Sequence, residues 1–216
     1  SSQQAIRRLA SEFKNKYAQL HVLLNNAGAV FMQRQLSVDG IEMTFALNHL
    51  NYFMLTNLLM DLLHKGSKPR IINVSSGAHF GGRIDFSDLQ IKKKFSGWRA
   101  YSASKLMNVL FTYELDRQLR EQRSDITVNA LHPGFVATNF GKSNGGLLQP
   151  IFGITQLAAL KPEEGAKTSI YLASSPEVES ISGKYFANCV ETRSSPESYD
   201  DQAALKLWRA SEQLVD

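Results

Sequence analysis

Apolar and polar positions recur along the chain with two different periods. Near the start, apolar side chains recur at three- and four-residue steps from Ile6 to Tyr17, which predicts an amphipathic helix. Short apolar runs bounded by turn-forming residues predict buried strands, as in the run that ends at Asn25. Helices are expected from about Ser1 to Tyr17, over 40–64 with Asp39 as the N-terminal cap, and over 98–122, 162–174 and 200–214; strands are expected at 21–24, 70–74, 127–131 and 184–186.

This order of elements predicts the fold class. Strands that alternate with helices of ten or more residues are typical of parallel strands joined by right-handed crossovers. The expected fold is therefore α/β, a doubly wound parallel sheet of the Rossmann-like kind, in which ligands bind at the carboxyl ends of the strands. No internal repeat or domain boundary interrupts the pattern, so residues 1–216 are expected to lie in a single domain.

The composition narrows the class of protein. The chain has 216 residues, 43% of them hydrophobic and 20% charged, which suits one globular domain with a sizeable core. The net charge is +4 and the basic residues are scattered apart from Lys92, Lys93 and Lys94, so no nucleic-acid surface is expected. Cys189 is the one cysteine, which excludes an internal disulfide and favours the cytoplasm or another reducing compartment. No apolar stretch approaches the length of a membrane span.

Polar residues follow three predicted strands, at the edge of the sheet where this fold binds ligands. Asn26 comes after the first strand, Ser75 and Ser76 come after the second, and His132 closes the third. His132 is interpreted as a structural residue at a strand end, and His79 as a loop residue. Neither histidine has metal-binding partners at ligand spacing, so no metal site is expected.

The stretch YSASK, from Tyr101 to Lys105, opens the helix between the second and third strands. A four-residue step places both side chains on one face of that helix. An ammonium about 4 Å from the phenol, at an effective dielectric near 20, would lower the tyrosine pKa by roughly three units, into the working range for acid–base catalysis. From these two residues alone, the alternative is an ordinary pair on a helix surface.

Five motifs stand together in one order and spacing. They are Asn25-Asn26-Ala27-Gly28, Asn48 in ALNHLNYF, Ser76 in RIINVSSGAH, Tyr101 and Lys105 in YSASK, and the segment NALHPGFVATNF. Ser76 and Tyr101 are 25 residues apart (101 − 76), and Asn48 and Ser76 are 28 apart (76 − 48). In these motifs and intervals the chain resembles the short-chain dehydrogenase/reductase family over nearly its whole length, and most closely its retinol dehydrogenase and carbonyl reductase branch.

The resemblance implies an oxidoreductase and a role for each matching residue. Tyr101 would be the general acid when a carbonyl is reduced and the base when an alcohol is oxidised. Ser76, rather than Ser75, would bond the substrate oxygen and stabilise its developing charge. Lys105 would bind the nicotinamide ribose and lower the tyrosine pKa, while Asn48 would hold a water that passes the proton to solvent. Outside the resemblance, Ser76 could cap a turn and Asn48 could satisfy buried backbone groups.

The resemblance also implies a cofactor site. NADP(H) is expected in preference to NAD(H), because the resembling branch tends to use it. Its adenosine half would lie against the backbone after the first strand, and its nicotinamide against the segment after the third. The cofactor-binding residues are expected to be Asn26, Ala27, Gly28, Tyr101, Lys105, Pro133, Gly134, Val136 and Thr138, with Thr138 bonding the carboxamide.

Substrate and partner predictions come from apolar side chains. Phe80, Phe140 and an apolar segment over 147–157 suit a hydrophobic aldehyde, ketone or alcohol, of which retinal and retinol are one pair. Packing in the core is the alternative for half of that segment. In the family, the helices after Asn48 and Tyr101 form the dimer contact, so a homodimer through these helices is expected.

The chain departs from the family pattern on its N-terminal side. Family members begin with a strand, a glycine-rich turn that cradles the pyrophosphate and two further strand–helix steps, so the expected shortfall is about 60 to 70 residues. The fold is therefore expected to be N-terminally incomplete, with the first strand left at a sheet edge. A membrane anchor in a preceding segment stays compatible with the sequence. The alternative function is a truncated, non-catalytic chain that binds a full-length relative through the dimer helices.

Overall fold

The predicted alternation of helices and strands is confirmed by the computed structural model, which describes residues 2–134 and 162–215. Within these ranges the helices are α1 (Gln3–Lys16), α2 (Met43–Phe45), α3 (Asn51–Leu63), α4 (Gly97–Glu121), α5 (Pro162–Ser174) and α6 (Asp201–Val215). The strands are β1 (Val22–Asn25), β2 (Arg70–Val74), β3 (Thr127–His132), β4 (Lys184–Ala187) and β5 (Val190–Glu191). Short 3-10 helices cover Gly77–Gly81, Pro176–Val178 and Pro196–Tyr199.

The strands form a sheet in the order β1-β2-β3-β4-β5. The first four are parallel, and β5 adds a two-residue antiparallel edge next to β4. The sequence does not predict β5, because two residues after a turn give no periodic signal. The register pairs Asn25 with Asn73 and Val74 with Leu131, so the carboxyl ends of β1, β2 and β3 meet at one edge of the sheet.

Helices cover both faces of the sheet, as the doubly wound fold requires. On one face, α5 packs against the strands in a small apolar cluster that consists of Ile72, Val74, Leu131, Leu172, Val178 and Phe186. On the opposite face, a larger cluster joins α1, α3, α4 and α6. Because both faces are covered, β2 is buried along its whole length.

The helix that precedes the candidate site is capped by Glu42 and not, as predicted, by Asp39. The Glu42 carboxylate accepts hydrogen bonds from the backbone N–H groups of Thr44 at 2.9 Å and Phe45 at 2.8 Å. Asp39 accepts instead from the backbone N–H of Gln3, at the start of α1, at 3.0 Å. The reason is position: Glu42 directly precedes the first helical residue, so its side chain reaches the free N–H groups of the first turn.

The helices predicted to form a dimer contact are largely covered within the chain. Helix α1 packs along α3, and α6 packs along α4. Within the predicted dimer stretch, Met54, Leu59, Leu62 and Leu63 are buried in the core, whereas Leu55, Leu58 and Met60 are only partly buried. The homodimer through these helices stays a prediction.

Helix length and composition also bear on membrane spans. Within 2–134 and 162–215, no helix is both long and apolar enough to cross a lipid bilayer. Helix α4 has the length, at 25 residues, but it carries charged side chains along it, from Arg99 and Lys105 to Arg120.

Candidate active site

The turn after β2 presents Ser76 beside α4. Ser76 is the N-terminal cap of the 3-10 helix Gly77–Gly81, and its hydroxyl accepts a hydrogen bond from the backbone N–H of Ala78 at 3.2 Å. Its neighbour Ser75 is buried and donates its hydroxyl to the carbonyl of Lys105 at 2.7 Å. Ser75 therefore ties the turn to α4, while Ser76 stays half-buried with its hydroxyl available to the site.

Close packing at the first turn of α4 brings Tyr101 to the same place. Ser96 caps the helix, because its hydroxyl accepts from the backbone N–H of Arg99 at 3.4 Å. Glycine is required at position 97, since a Cβ on Gly97 would lie 2.2 Å from the carbonyl oxygen of Phe31. With the helix start held against this loop, Tyr101 follows one turn later and points toward the edge of the sheet.

The Ser76 hydroxyl lies beside the Tyr101 phenol, close enough to influence the pKa of the phenol through a side-chain hydrogen bond. Tyr101 is buried, with 6% of its surface exposed. Burial raises the pKa of Tyr101 above its usual value, and the hydrogen bond with Ser76 opposes part of that rise. The phenol is therefore protonated at neutral pH and can act as a proton donor.

Lys105 lies beside Tyr101 without the electrostatic effect that the spacing predicts. Its ammonium is 5.7 Å from the centre of the Tyr101 ring and donates to the carbonyl of Val74 at 3.2 Å. Burial lowers the pKa of Lys105 to about 8. The predicted fall in the pKa of Tyr101 is wrong for this arrangement, because removal from water favours the neutral form of both groups.

Asn48 lies in a π-helix, Ala46–Leu50, that joins α2 to α3, and such segments are frequent at functional sites. Its Oδ1 accepts from the backbone N–H of Ala29 at 2.9 Å. Its Nδ2 donates to the Ala29 carbonyl and to the Ser104 hydroxyl, both at 3.0 Å. Asn48 thus connects the loop after β1 to α4. Both hydrogens of its side-chain amide are used in these bonds, so a water could bind Asn48 only at an oxygen.

The loop after β1 closes one side of this cluster. Asn26, Ala27 and Gly28 are all exposed. A Cβ on Gly28 would lie 3.2 Å from Nζ of Lys105 and 3.3 Å from Oδ1 of Asn48, so the backbone passes directly over both side chains. Both side chains are therefore buried beneath this loop, with 3% of the Lys105 surface and none of the Asn48 surface exposed.

The turn after β3 completes the edge of the sheet. Pro133 and Gly134 are half-buried, and Gly134 has a left-handed φ of 81°. The N–H of Gly134 donates to Nδ1 of His132 at 3.1 Å, and the His132 ring lies 3.7 Å from where a Cβ on Gly77 would be. His132 therefore packs between the two turns, which agrees with a structural role. The expected site residues Val136, Thr138, Phe140 and the segment 147–157 lie outside the described residues.

His79 is the residue whose place sequence reasoning missed. It is fully buried in the 3-10 helix Gly77–Gly81 and does not lie on an open loop. Its Nδ1 bonds the carbonyl of Ser76 at 2.7 Å, and its Nε2 bonds the backbone N–H of Ser195 at 3.0 Å. The signal in the sequence is the three-residue interval from Ser76, because one 3-10 turn returns a side chain to the carbonyl three residues earlier.

The groups that converge at the strand edge define the kind of site. They are hydroxyls, an amide and an ammonium, which suit proton transfer and hydrogen bonding to a carbonyl oxygen. Among the described residues, no group of three or more histidine, cysteine, aspartate or glutamate side chains is placed to hold a metal ion. Fold and site together define a Rossmann-like α/β protein with a serine, tyrosine and lysine site at the carboxyl edge of its sheet.

Comparison with known proteins identifies the family. The short chain dehydrogenase family matches residues 1–146. Human retinol dehydrogenase 14 is 44% identical over 218 residues, which cover 100% of this chain and 64% of that protein. Human polyprenol dehydrogenase is 39% identical over 223 residues, which cover 98% of this chain and 66% of that protein. The chain belongs to the short-chain dehydrogenase family, and it spans just under two thirds of the length of these curated relatives.

Solved structures share the fold. A crystal structure of an uncharacterized protein from Mycobacterium paratuberculosis has a TM-score of 0.78 and 33% identity, and the match covers 99% of this chain and 72% of that one. An NADPH-bound carbonyl reductase from chicken fatty liver has a TM-score of 0.60 and 20% identity, over 89% of this chain and 73% of that one, which shows likeness of fold alone. The predicted resemblance to the retinol dehydrogenase-like branch is confirmed by the curated relatives.

Proposed function

We propose that the complete protein is an NAD(P)-dependent oxidoreductase that transfers a hydride between its cofactor and an apolar aldehyde or ketone, or the corresponding alcohol. The observation that carries this proposal is the placement of Ser76 next to the buried Tyr101 phenol, with the Lys105 ammonium 5.7 Å from the centre of the tyrosine ring. Relatives named retinol dehydrogenase and polyprenol dehydrogenase support it, because the named substrates are apolar alcohols.

The chemistry proposed for this pair is proton donation to a carbonyl oxygen. Tyr101 is a buried neutral phenol, so it gives its proton to the oxygen while the carbonyl carbon receives the hydride. The Ser76 hydroxyl, which lies beside the phenol, donates to the same oxygen and stabilises the charge that develops there. In alcohol oxidation the same residues act in reverse, and Tyr101 must first lose its own proton in order to accept the proton of the alcohol.

The residues at the strand edge fit a nicotinamide cofactor. The Lys105 ammonium has three N–H donors and, among the described residues, one hydrogen-bond acceptor, the Val74 carbonyl, so donors remain for ribose hydroxyls. When bound, the cofactor would supply or accept the hydride. NADP(H) is proposed ahead of NAD(H) because of the resemblance to the retinol dehydrogenase-like branch. The residues proposed to line it are Asn26, Ala27, Gly28, Tyr101, Lys105, Pro133, Gly134, Val136 and Thr138.

Two exposed aromatic side chains support an apolar substrate. Trp98 is 57% exposed, and its ring centre lies 5.6 Å from that of Tyr101. Phe80 is 53% exposed, and its ring centre lies 4.3 Å from that of His79, which bonds Ser76. Exposed aromatic rings next to a polar cluster are a lining that suits an apolar ligand with one polar end. Retinal and retinol are one candidate pair of substrates.

The setting proposed for this activity is the cytoplasm or another reducing compartment. The protein's one cysteine, Cys189, is a free thiol, which suits such a compartment. A homodimer through α3 and α4 is proposed from the family resemblance alone.

The test is a hydride-transfer assay of the purified full-length protein with apolar aldehydes, retinal among them, and with NADPH and NADH in turn. We expect Tyr101→Phe to lower kcat/KM by about 10²- to 10⁴-fold, the usual contribution of a positioned acid–base group. Tyr113→Phe is the matched control on the same helix, since it also removes one phenolic hydrogen bond, to Ser194 at 2.7 Å.

Two outcomes would contradict different parts of the proposal. Full activity of Tyr101→Phe, or equal losses in both tyrosine variants, would remove Tyr101 from the reaction. Absence of turnover by the wild-type protein with every carbonyl and both cofactors would contradict the proposed function itself.

A further inference from the structure

We propose that His79 is a positioning residue for Ser76, because its neutral ring links the Ser76 carbonyl to Ser195 and so fixes the direction of the Ser76 hydroxyl. This role depends on the proposed function, in which the Ser76 hydroxyl bonds the substrate oxygen. His79 itself is placed behind the turn, and it acts on the reaction only through Ser76.

The two hydrogen bonds of His79 fix its tautomer. A carbonyl oxygen can only accept, so Nδ1 must carry the proton that bonds Ser76 at 2.7 Å. A backbone N–H can only donate, so Nε2 must be the unprotonated nitrogen that accepts from Ser195 at 3.0 Å. The neutral Nδ1–H tautomer satisfies both partners, and neither the other tautomer nor the imidazolium does.

The Ser76 carbonyl is held by His79 twice. The backbone N–H of His79 donates to it at 3.1 Å, and the ring Nδ1–H donates to it at 2.7 Å. On the other side of the residue, Ser75 is bonded through its N–H to the Leu131 carbonyl at 2.7 Å. Ser76 is thus an extended residue, with φ −163° and ψ 155°, pinned on both sides, and rotation of its peptide would swing the hydroxyl away from Tyr101.

The surroundings of His79 keep its ring neutral and in place. The side chain is fully buried, and its ring centre lies 4.8 Å from the Tyr185 ring and 4.3 Å from the Phe80 ring. Burial lowers the pKa of His79, although the bond to the Ser76 carbonyl acts in the opposite direction. At neutral pH the ring is therefore in the state that both hydrogen bonds require.

His79 also connects the turn to the segment before the last helix. Ser195 directly precedes the 3-10 helix Pro196–Tyr199, which leads into α6. A second contact joins the same two regions, since Arg83 forms an ion pair with Glu197 at 3.0 Å. Because that ion pair is largely exposed and the His79 bond is buried, His79 is the stronger link between the C-terminal segment and Ser76.

Two variants each remove one of the two hydrogen bonds of the His79 ring, to Ser76 or to Ser195. In His79→Asn the side-chain amide reaches the place of Nδ1 and can still donate to the Ser76 carbonyl, while the bond to Ser195 is lost. In His79→Gln the longer side chain reaches the place of Nε2 and can accept from Ser195, while the donor to Ser76 is lost. Both variants remove the ring and its aromatic contacts, so each controls for the other.

The readout is steady-state kinetics of the full-length protein. We expect kcat of His79→Gln to fall by about 10- to 100-fold with KM little changed, as for a displacement of about 1 Å at a reacting group. His79→Asn should keep kcat close to wild type. Equal losses in both variants, or no loss in either, would overturn the proposal. An inactive wild-type protein would instead contradict the proposed function.

A second measurement does not depend on activity or on the folding of the variants. A long-range proton–nitrogen correlation spectrum of the wild-type protein distinguishes the two neutral histidine tautomers. We expect His79 to show the Nδ1–H form at neutral pH. An Nε2–H or imidazolium signal for His79 would overturn the proposal even if the protein is an active reductase.

Discussion

The two halves of helix α4 are both buried but are built from different side chains. Residues 97–108 bury polar groups next to the carboxyl edge of the sheet, among them Tyr101, Ser104, Lys105 and Asn108. Residues 109–121 bury mainly apolar side chains that join the core between α3 and α6, among them Phe111, Leu115 and Leu119. The first half of this helix therefore serves the candidate site and, through Ala103, Leu106 and Met107, part of the core, whereas the second half serves mainly the core.

This contrast teaches that burial has opposite consequences in the two halves. Burial lowers the pKa of Lys105, which means that its charge is held there at a cost in stability. The ring centre of Phe111 lies 5.7 Å from that of Phe53 and 5.8 Å from that of Trp208. Burial of the Phe111 ring in this cluster removes apolar surface from water and stabilises the fold. Substitutions in the two halves should therefore separate activity from stability.

The largest expected loss of stability follows from Phe111→Ala. The substitution leaves a cavity among Phe53, Trp208 and their neighbours, and such changes in cores lower the free energy of unfolding by about 3 to 5 kcal/mol. Urea unfolding followed by circular dichroism measures the loss. At temperatures where the variant is folded, its kcat should equal that of the wild type; a large fall in kcat there would contradict the division of α4.

The next largest expected effect is on the pH dependence of stability. In the wild-type protein Lys105 makes the free energy of unfolding depend on pH, and Lys105→Met should abolish this dependence. The pKa of Lys105 is about 8 in the folded protein and 10.5 in its reference state. Between these values the unfolded chain binds more protons than the folded one, so the free energy of unfolding rises with pH. From pH 8 to pH 10 the rise due to Lys105 is about 2 kcal/mol. Lys105→Met should lack this rise and, at pH 7, be more stable and less active than the wild type.

The comparison of the two proteins isolates the lysine from other titrating groups. Tyr101 acts in the opposite direction, because its raised pKa makes stability fall as the phenol of the unfolded chain titrates near its usual value of 10, but both proteins contain Tyr101 and share this fall. Urea unfolding at pH 8, 9 and 10 measures both slopes. Parallel slopes for wild type and Lys105→Met would show that the buried ammonium carries no such cost.

Much of the fold is predictable because its elements have strong local signals. The strand Arg70–Val74 and the helix Pro162–Ser174 are predicted with their observed bounds. The N-terminal cap is predicted wrongly because two local signals compete there. Asp39 and Glu42 both precede the same helix, and the sequence does not show which carboxylate reaches the free N–H groups of its first turn. Tertiary contact with Gln3 decides, because it occupies Asp39.

The candidate site is predictable in its members and less so in its electrostatics. Strand order and motif spacing predict that Ser76 and Tyr101 come together, and in the structure the Ser76 hydroxyl is close enough to influence the pKa of the Tyr101 phenol. The direction of the Tyr101 pKa shift is not predictable from the four-residue step to Lys105, since desolvation depends on all the surrounding elements. The part played by His79 is missed for a related reason, because its second partner, Ser195, lies 116 residues away in the chain.

The smallest expected effect allows the most direct comparison of the two halves. Each half of α4 has a buried hydroxyl that donates to a carbonyl of the helix and accepts from an asparagine side chain. Ser104 donates to the Tyr101 carbonyl at 2.7 Å and accepts from Nδ2 of Asn48. Thr112 donates to the Asn108 carbonyl at 2.8 Å and accepts from Nδ2 of Asn73. The two hydroxyls differ mainly in the place of their asparagine partners. Asn48 holds the loop after β1 through Ala29, whereas Asn73 lies within β2.

Ser104→Ala and Thr112→Val should therefore cost the same stability, about 1 kcal/mol each, since each loses one acceptor for a buried amide hydrogen. Their effects on activity should differ. Ser104→Ala frees Asn48, which holds the loop over Lys105, so we expect a higher KM for the cofactor and a lower kcat. Thr112→Val removes only the hydrogen bond with Asn73 on β2, so KM and kcat should both stay unchanged. Equal kinetic changes in the two variants would mean that the halves of α4 are coupled, and that the site depends on the whole helix.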